Sequence, residues 1–141
     1  MEDKTIQIKL VDQIDLNEVY HWLQHPEAGG MDLFIGNVRN HAQGKSVIKL
    51  EFEAYKPMAI AQMEKLAAAA FEKWPVKKLL MIHALGSKLI GEPVVVIGTS
   101  TAHRQAAFES CKFLIDELKV TVPIWKKEYF TDQTVWVNAH P

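Results

Sequence analysis

The sequence has little that would suit secretion, membrane insertion or covalent cross-linking. Its 141 residues include one cysteine, Cys111, so an intrachain disulfide is excluded. The charged, alternating segment 1–9 lacks the apolar core of a signal peptide. No apolar run approaches the roughly 20 residues that a membrane-spanning helix needs. These absences predict a soluble protein of the reducing cytoplasm.

A large excess of charge of one sign is also absent. Lys and Arg number 16 and Asp and Glu 17, which gives a net charge of −1. General nucleic-acid or membrane binders are usually more basic, so any anion site must be a local cluster. There is no phosphate-binding glycine-rich loop or dinucleotide fingerprint, and one cysteine excludes a cysteine-rich zinc site. His21 and His25 have helical spacing but no evident third ligand, which favours solvated side chains.

What remains is the composition of an ordinary globular domain. Hydrophobic residues make up 48% and charged residues 23% of the chain. The length fits a single domain over residues 1–141.

In the first half of the chain, alternating and helical patterns follow one another. Alternation predicts strands over 5–11, 31–38 and 47–55, the last antiparallel to its predecessor. Asp15 begins a capping box that predicts a short helix. In the strand 47–55, the apolar side chains predicted to share one face are Ile48, Leu50, Phe52 and Ala54.

The second half contains two longer helices and further strands. Pro57 suits a first helical turn, and the second of these helices follows Ser100 or Thr101 as its predicted cap. Predicted strands cover 76–85, 93–99, 124–130 and 134–138, the last two forming a hairpin. The helical stripes are Met63, Leu66, Ala67, Ala70, Phe71 and Trp74, then Ala107, Cys111, Leu114, Ile115 and Leu118. The order β-α-β-β-α-β-β-α-β-β predicts an α+β fold with about three helices on a mostly antiparallel sheet.

Basic residues at three places are candidates for an anion site. His103 and Arg104 lie at a predicted helix start, where backbone N–H groups bind anions, but an exposed, ion-paired arginine is as good an interpretation. Lys119 suits the negative end of a helix dipole. Lys126 lies in a strand: pointing inward it would have a lowered pKa and could act as a base, but composition favours a surface lysine.

The third basic place is a polar loop. Arg39, with His41 nearby, follows a glycine-containing strand, although simple solvation also explains it. Phe34 and Trp125 could stack on a flat ring, although such aromatics are more often core residues. Together the basic residues would suit a small, planar anion, but nothing in the sequence shows that they converge.

Five strings, in order over about residues 4–138, resemble the molybdopterin synthase large-subunit family. The two most specific are Ala102-His-Arg-Gln-Ala-Ala-Phe-Glu109 and Val122-Pro-Ile-Trp-Lys-Lys-Glu128, the second preceded by Leu118-Lys119. The others are Phe34-Ile-Gly-Asn-Val-Arg39-Asn-His41, Leu50-Glu-Phe-Glu-Ala-Tyr55 with Met58-Ala, and Ile90-Gly-Glu-Pro-Val94.

The resemblance implies an α/β-hammerhead fold and a sulfurtransferase that needs no metal or cofactor. A dimer of the large subunit would bind two small ubiquitin-like subunits, giving a heterotetramer. Each small subunit would thread a C-terminal Gly-Gly thiocarboxylate into a pocket. Two sulfur transfers to cyclic pyranopterin monophosphate would then create the dithiolene of molybdopterin.

The resemblance also implies residue roles. Lys119 matches the main catalytic lysine, and Lys126 matches a second pocket lysine that is a candidate acid or base. The positions that the family uses to hold the pterin phosphate correspond to Arg39, His103 and Arg104. Phe34 matches an aromatic residue that lines the pocket. The partner supplies the sulfur, and Cys111, on a helix stripe, is interpreted as a core residue.

The chain departs from the family pattern at two places. Ala84 stands where the family usually has an arginine after its histidine, and the chain stops at Pro141, where many relatives continue. Ala84 keeps open a non-catalytic module that docks a ubiquitin-like tail. A third hypothesis, a binder of small anions or single-stranded nucleic acid through residues 103–127, is disfavoured by the net charge.

Overall fold

Nine strands and three helices make up the part of the chain that the computed structural model describes, residues 4–131 and 133–138. The central residue of the predicted hairpin turn, Asp132, lies outside these ranges. The elements are β1 (Ile6–Val11), α1 (Leu16–Leu23), β2 (Gly30–Asn37), β3 (His41–Ala42), β4 (Lys45–Ala54), α2 (Lys56–Lys73), β5 (Val76–Ala84), β6 (Gly86–Leu89), β7 (Pro93–Thr101), α3 (Arg104–Thr121), β8 (Ile124–Phe130) and β9 (Thr134–Asn138).

The strands form two sheets. The first has the order β1-β5-β7-β2, in which only the β1–β5 pair is parallel. The second has the order β3-β4-β8-β9, and β6 also pairs with β4. All pairs in the second sheet are antiparallel. The predicted α+β class with mostly antiparallel sheets is confirmed.

Helices cover both faces of the first sheet because the side chains of a strand alternate between its faces. Leu80 and Ile82 of β5 pack with Val19 and Leu23 of α1. Leu79 and Met81 belong instead to the larger core, which includes α2 and α3. The Asp15 carboxylate accepts hydrogen bonds from the backbone N–H groups of residues 17 and 18, so the predicted start of α1 is confirmed.

The predicted pairing of the strand 47–55 with its predecessor is wrong. β4 pairs with β3, β6 and β8, while β2 is an edge strand of the other sheet. The predicted inward face is also partly wrong, since Val47 is buried and Ile48 is 52% exposed. The ladder between β4 and β8 shifts register between Val47 and Lys49, and such a bulge changes the phase of the alternation.

The predicted cap of α3 is wrong as well. The N-cap is His103, whereas Ser100 and Thr101 end β7. Both remain in the strand because they pair with β2 and β5 on either side. The Thr101 hydroxyl donates a 2.5 Å hydrogen bond to the His103 carbonyl. The short strand β6 was not predicted, because four residues are too few for a clear alternation.

Candidate functional site

A cavity of about 380 Å³ opens where the two sheets meet the last turns of α3. Its apolar lining comes from the ends of β2 and β7, from β4 and from the α3 stripe. Its polar and charged lining residues are Asn37, Arg39, His41, Gln43, His83, Lys119, Lys126 and Glu128. Several cations and one carboxylate therefore face a space of small-molecule size.

Lys119 lies at the exposed edge of this cavity, in the last turn of α3. Its direction follows from the helix stripe, because Leu118 and Ile115 are buried and line the same cavity. A cation at this position also interacts favourably with the helix dipole. Lys119 can therefore stabilise the helix end and face the cavity at the same time.

Lys126 points inward, so the interpretation that composition favoured, a surface lysine, is wrong. Its side chain is 16% exposed and its ammonium nitrogen lies 3.4 Å from a carboxylate oxygen of Glu128. The reason is the period of β8, in which Ile124 and Phe130 are buried on the face that carries Lys126. Across the ladder, Lys126 lies opposite Phe52, which also lines the cavity.

Sequence reasoning missed Glu128 as a site residue. It is 3% exposed, and its second carboxylate oxygen is buried without a hydrogen-bond partner. A buried carboxylate is costly unless paired, so its ion pair with Lys126 compensates only part of its desolvation. The signal for finding it was the alternation through Ile124, Lys126 and Phe130, which places Glu128 on the same face.

His83 is a second residue that sequence reasoning missed. It is 3% exposed, lines the cavity and has its Nδ1 atom 2.7 Å from the carbonyl oxygen of Ala84. Its ring meets Phe52 edge to face, with the centroids 5.2 Å apart. These contacts fix the imidazole at the base of the cavity wall.

Phe34 and Arg39 reach the cavity from β2 and the segment after it. Phe34 is 38% exposed. A side chain at Gly36 would place its Cβ 2.7 Å from a Val95 methyl group, so glycine permits the close packing of this wall. Trp125 is 44% exposed and is not among the residues that line the cavity.

His103 and Arg104 do not join the other predicted site residues within one chain. Both are exposed at the opposite end of α3, beside the backbone of Gly30. Lys119 is fifteen positions beyond Arg104 in the helix, a rise of about 22 Å at 1.5 Å per residue. The cavity thus brings together Phe34, Arg39, Lys119 and Lys126, without His103 and Arg104.

Cys111 is a core residue, as predicted. It is 2% exposed within the α3 stripe. Burial, with a smaller contribution from Asp32, raises the pKa of its thiol to about 12. The thiol is therefore protonated at neutral pH and is a poor nucleophile. Separately, none of the helices in the described ranges is long and apolar enough to cross a membrane.

The fold and the site define a class: an α+β protein with a cationic, partly aromatic pocket between two sheets. The sequence profile described as "MoaE protein" matches residues 10–121, and the chain belongs to this family. The human "Molybdopterin synthase catalytic subunit" is 40% identical over 125 residues, which are 89% of this chain and 66% of that protein. The chain thus spans slightly less than two thirds of this relative.

Solved structures of other proteins share the fold. "Molybdopterin Synthase from Staphylococcus aureus" superposes with a TM-score of 0.86 at 29% identity, covering 97% of this chain and 98% of that one. A chain of the "protein-protein complex of subunit 1 and 2 of molybdopterin-converting factor" from Helicobacter pylori superposes with a TM-score of 0.78 at 25% identity. The latter match covers 95% of this chain and 93% of that one.

Proposed function

We propose that this chain is the catalytic subunit of a molybdopterin synthase. It would transfer sulfur from the C-terminal thiocarboxylate of a small ubiquitin-like subunit to cyclic pyranopterin monophosphate. The observation that carries the proposal is the cavity in which Lys119, Lys126, Arg39 and Phe34 meet. The names of the human and Staphylococcus aureus relatives support it. Residues 1–141 would act as one domain in the cytoplasm.

The positions of the two lysines suggest a division of labour. Lys119 is at the exposed edge, where an incoming anionic tail arrives first, so its ammonium would attract and orient the thiocarboxylate. Lys126 is deeper and is held near Glu128, so it would face the bound pterin and serve as the acid or base of ring opening.

Arg39 and Phe34 would bind the two ends of the substrate. A guanidinium suits a phosphate because it can donate two parallel hydrogen bonds. The exposed ring of Phe34 can pack against a flat pterin. The reaction needs no metal or cofactor from this chain, since the partner supplies the sulfur.

The proposed partner is a small subunit whose tail enters the cavity. The Helicobacter pylori neighbour is a chain of a two-subunit complex, which supports such an assembly. The tail needs only to be thin and anionic at its end, and a Gly-Gly thiocarboxylate meets both requirements.

A homodimer within a heterotetramer would give His103 and Arg104 a role. β2 is an edge strand whose first residue, Gly30, lies beside Arg104, and whose far end reaches the cavity at Asn37. If two β2 strands pair antiparallel about a twofold axis, the start of one strand lies beside the end of the other. Each cavity would then receive His103 and Arg104 from the second protomer and hold the substrate phosphate with them.

Reconstitution tests the proposed activity. The protein would be mixed with cyclic pyranopterin monophosphate and the small subunit, which carries either a thiocarboxylate or, as the matched control, an ordinary carboxylate. Molybdopterin should form only with the thiocarboxylate. A stable complex with the small subunit but no product would refute the enzyme and leave the docking module. No complex and no product would refute both.

A further inference from the structure

Lys88 is a buried lysine outside the cavity lining. Its residue is 5% exposed, and its ammonium donates a 2.5 Å hydrogen bond to the main-chain carbonyl of Asp12. Lysines are rarely buried this deeply, because removing an ammonium from water is costly. The role of this buried hydrogen bond follows from the two strands that it connects.

The contact joins the two sheets. Lys88 belongs to β6, which pairs with β4 of the second sheet, whereas Asp12 follows β1 at the edge of the first. Lys88 lies opposite Leu50 and Gly86 lies opposite Phe52. Both of these β4 residues line the cavity, so the contact sets the position of one cavity wall.

The same place contains the chain's departure from the family pattern. Ala84 is fully buried and lies opposite Val11 in the β1–β5 ladder. Asp12 is the next residue along the chain, in the bend that follows β1. The carbonyl that accepts the Lys88 hydrogen bond thus belongs to the residue that follows the partner of Ala84. Position 84 is where the resembling family usually carries an arginine. Neither Ala84 nor Lys88 lines the cavity.

We propose that Lys88 is a positioning residue, whose buried ammonium holds β6 against the end of β1. The same ammonium supplies, from position 88, the positive charge that an arginine would supply from position 84. The cation acts on the cavity wall and does not touch the substrate. The positive charge that is missing at Ala84 is then moved to position 88 rather than lost. The part of this inference that concerns turnover rests on the proposed function.

An exchange of the cation between the two positions tests the proposal. The variants are Lys88→Met, Ala84→Arg and the double variant, with Lys112→Met as the control for losing an exposed lysine. Lys88→Met should lower the Tm by about 5 °C, as expected for a buried charged hydrogen bond. Ala84→Arg alone should also lower it, because it buries a second cation. The double variant should recover most of the loss.

Two further readouts separate positioning from stability alone. Amide hydrogen exchange in β4 and β6 should accelerate in Lys88→Met and return towards the wild-type rate in the double variant. In the reconstituted reaction, Lys88→Met should raise KM for the pterin several-fold with kcat nearly unchanged, because both cavity lysines remain.

The opposite results are equally clear. An unchanged Tm in Lys88→Met, or a double variant no better than the single one, overturns the shared cation site. A lowered Tm with unchanged exchange in β4 and unchanged KM reduces Lys88 to a stabilising residue and overturns positioning. If the wild type makes no product, the proposed function fails, while Tm and hydrogen exchange still decide the relocation.

Discussion

The two ends of α3 carry the chain's most specific basic residues but differ in what surrounds them. At the C-terminal end, Lys119 borders a cavity with Arg39, Lys126 and buried apolar walls. At the N-terminal end, His103 and Arg104 are exposed and lie outside the cavity. One chain builds the cavity at the first end by itself, whereas in the proposed function the second end is completed by another chain. Substitutions at each end of α3 test this contrast.

The largest effect is expected at Lys119. Lys119→Ala should lower turnover by about 100-fold or more, because in the proposed function it removes the charge that orients the thiocarboxylate. Lys112→Ala, an exposed lysine of the same helix, should retain turnover. Turnover is measured as molybdopterin formed per minute at saturating small subunit. Similar losses in both variants would contradict a special role for Lys119.

The next effect concerns Arg104 and the second protomer. Arg104→Ala should lower turnover by roughly 10-fold or more, through the loss of the phosphate contact proposed for it. When Arg104→Ala and Lys119→Ala chains are dissociated, mixed and reassociated, half of the dimers are mixed and one of their two pockets is intact. About a quarter of wild-type activity should therefore return.

The same mixing experiment also has an outcome that would contradict a shared site. Activity that stays at the level of the two separate variants would mean that Arg104 acts on its own chain or not at all. A variant pair at the cavity end, Arg39→Ala with Lys119→Ala, is the matched control. Both of these residues lie in one chain's cavity, so every cavity in this mixture lacks one of the two, and no activity should return.

A smaller effect on turnover, with a clear effect on stability, is expected at Lys126. Lys126→Ala should lower turnover by about 10-fold, as for loss of a general acid or base with partial replacement by water. It should also destabilise the fold by about 3 kcal/mol, since Glu128 is left buried and unpaired. Thermal unfolding measures this loss of stability. Adding Glu128→Gln should recover part of the stability but none of the turnover; recovery of neither would contradict the ion-pair account.

The smallest effect is expected at Cys111. Cys111→Ala should leave turnover unchanged and reduce stability by about 1 kcal/mol through lost packing. The pKa of the thiol is raised to about 12, so the protonated thiol persists through pH 7 to 9. Thiolate absorbance near 240 nm, followed against pH, should rise only at strongly alkaline pH. A thiolate at pH 8 would contradict the burial of this group.

Much of the fold could be predicted because local patterns agree with the packing. The stripe of α3 and the hairpin strands 124–130 and 134–138 match the structure. The errors came from interactions between distant strands. No local pattern shows that β4 leaves the sheet of β2, and the bulge after Val47 reverses the faces of Ile48 and its neighbour.

The site was predicted in part for the same reason. The resemblance pointed to Lys119, Lys126, Arg39 and Phe34, and these share one cavity. The inward direction of Lys126 depends on which face of β8 meets the first sheet, which is a property of the tertiary fold. Glu128 and His83 were missed because their burial follows from pairing with β4 and the first sheet rather than from their own sequence context.

The most direct test of sulfur transfer in the cavity is a single-turnover experiment with the small subunit labelled with radioactive sulfur in its thiocarboxylate. Wild-type protein and Lys119→Ala would be loaded equally with the small subunit, as verified by native mass spectrometry, and then given the pterin. The account predicts that label moves into the pterin product with the wild type and stays on the small subunit with the variant. Equal transfer by both proteins would contradict it.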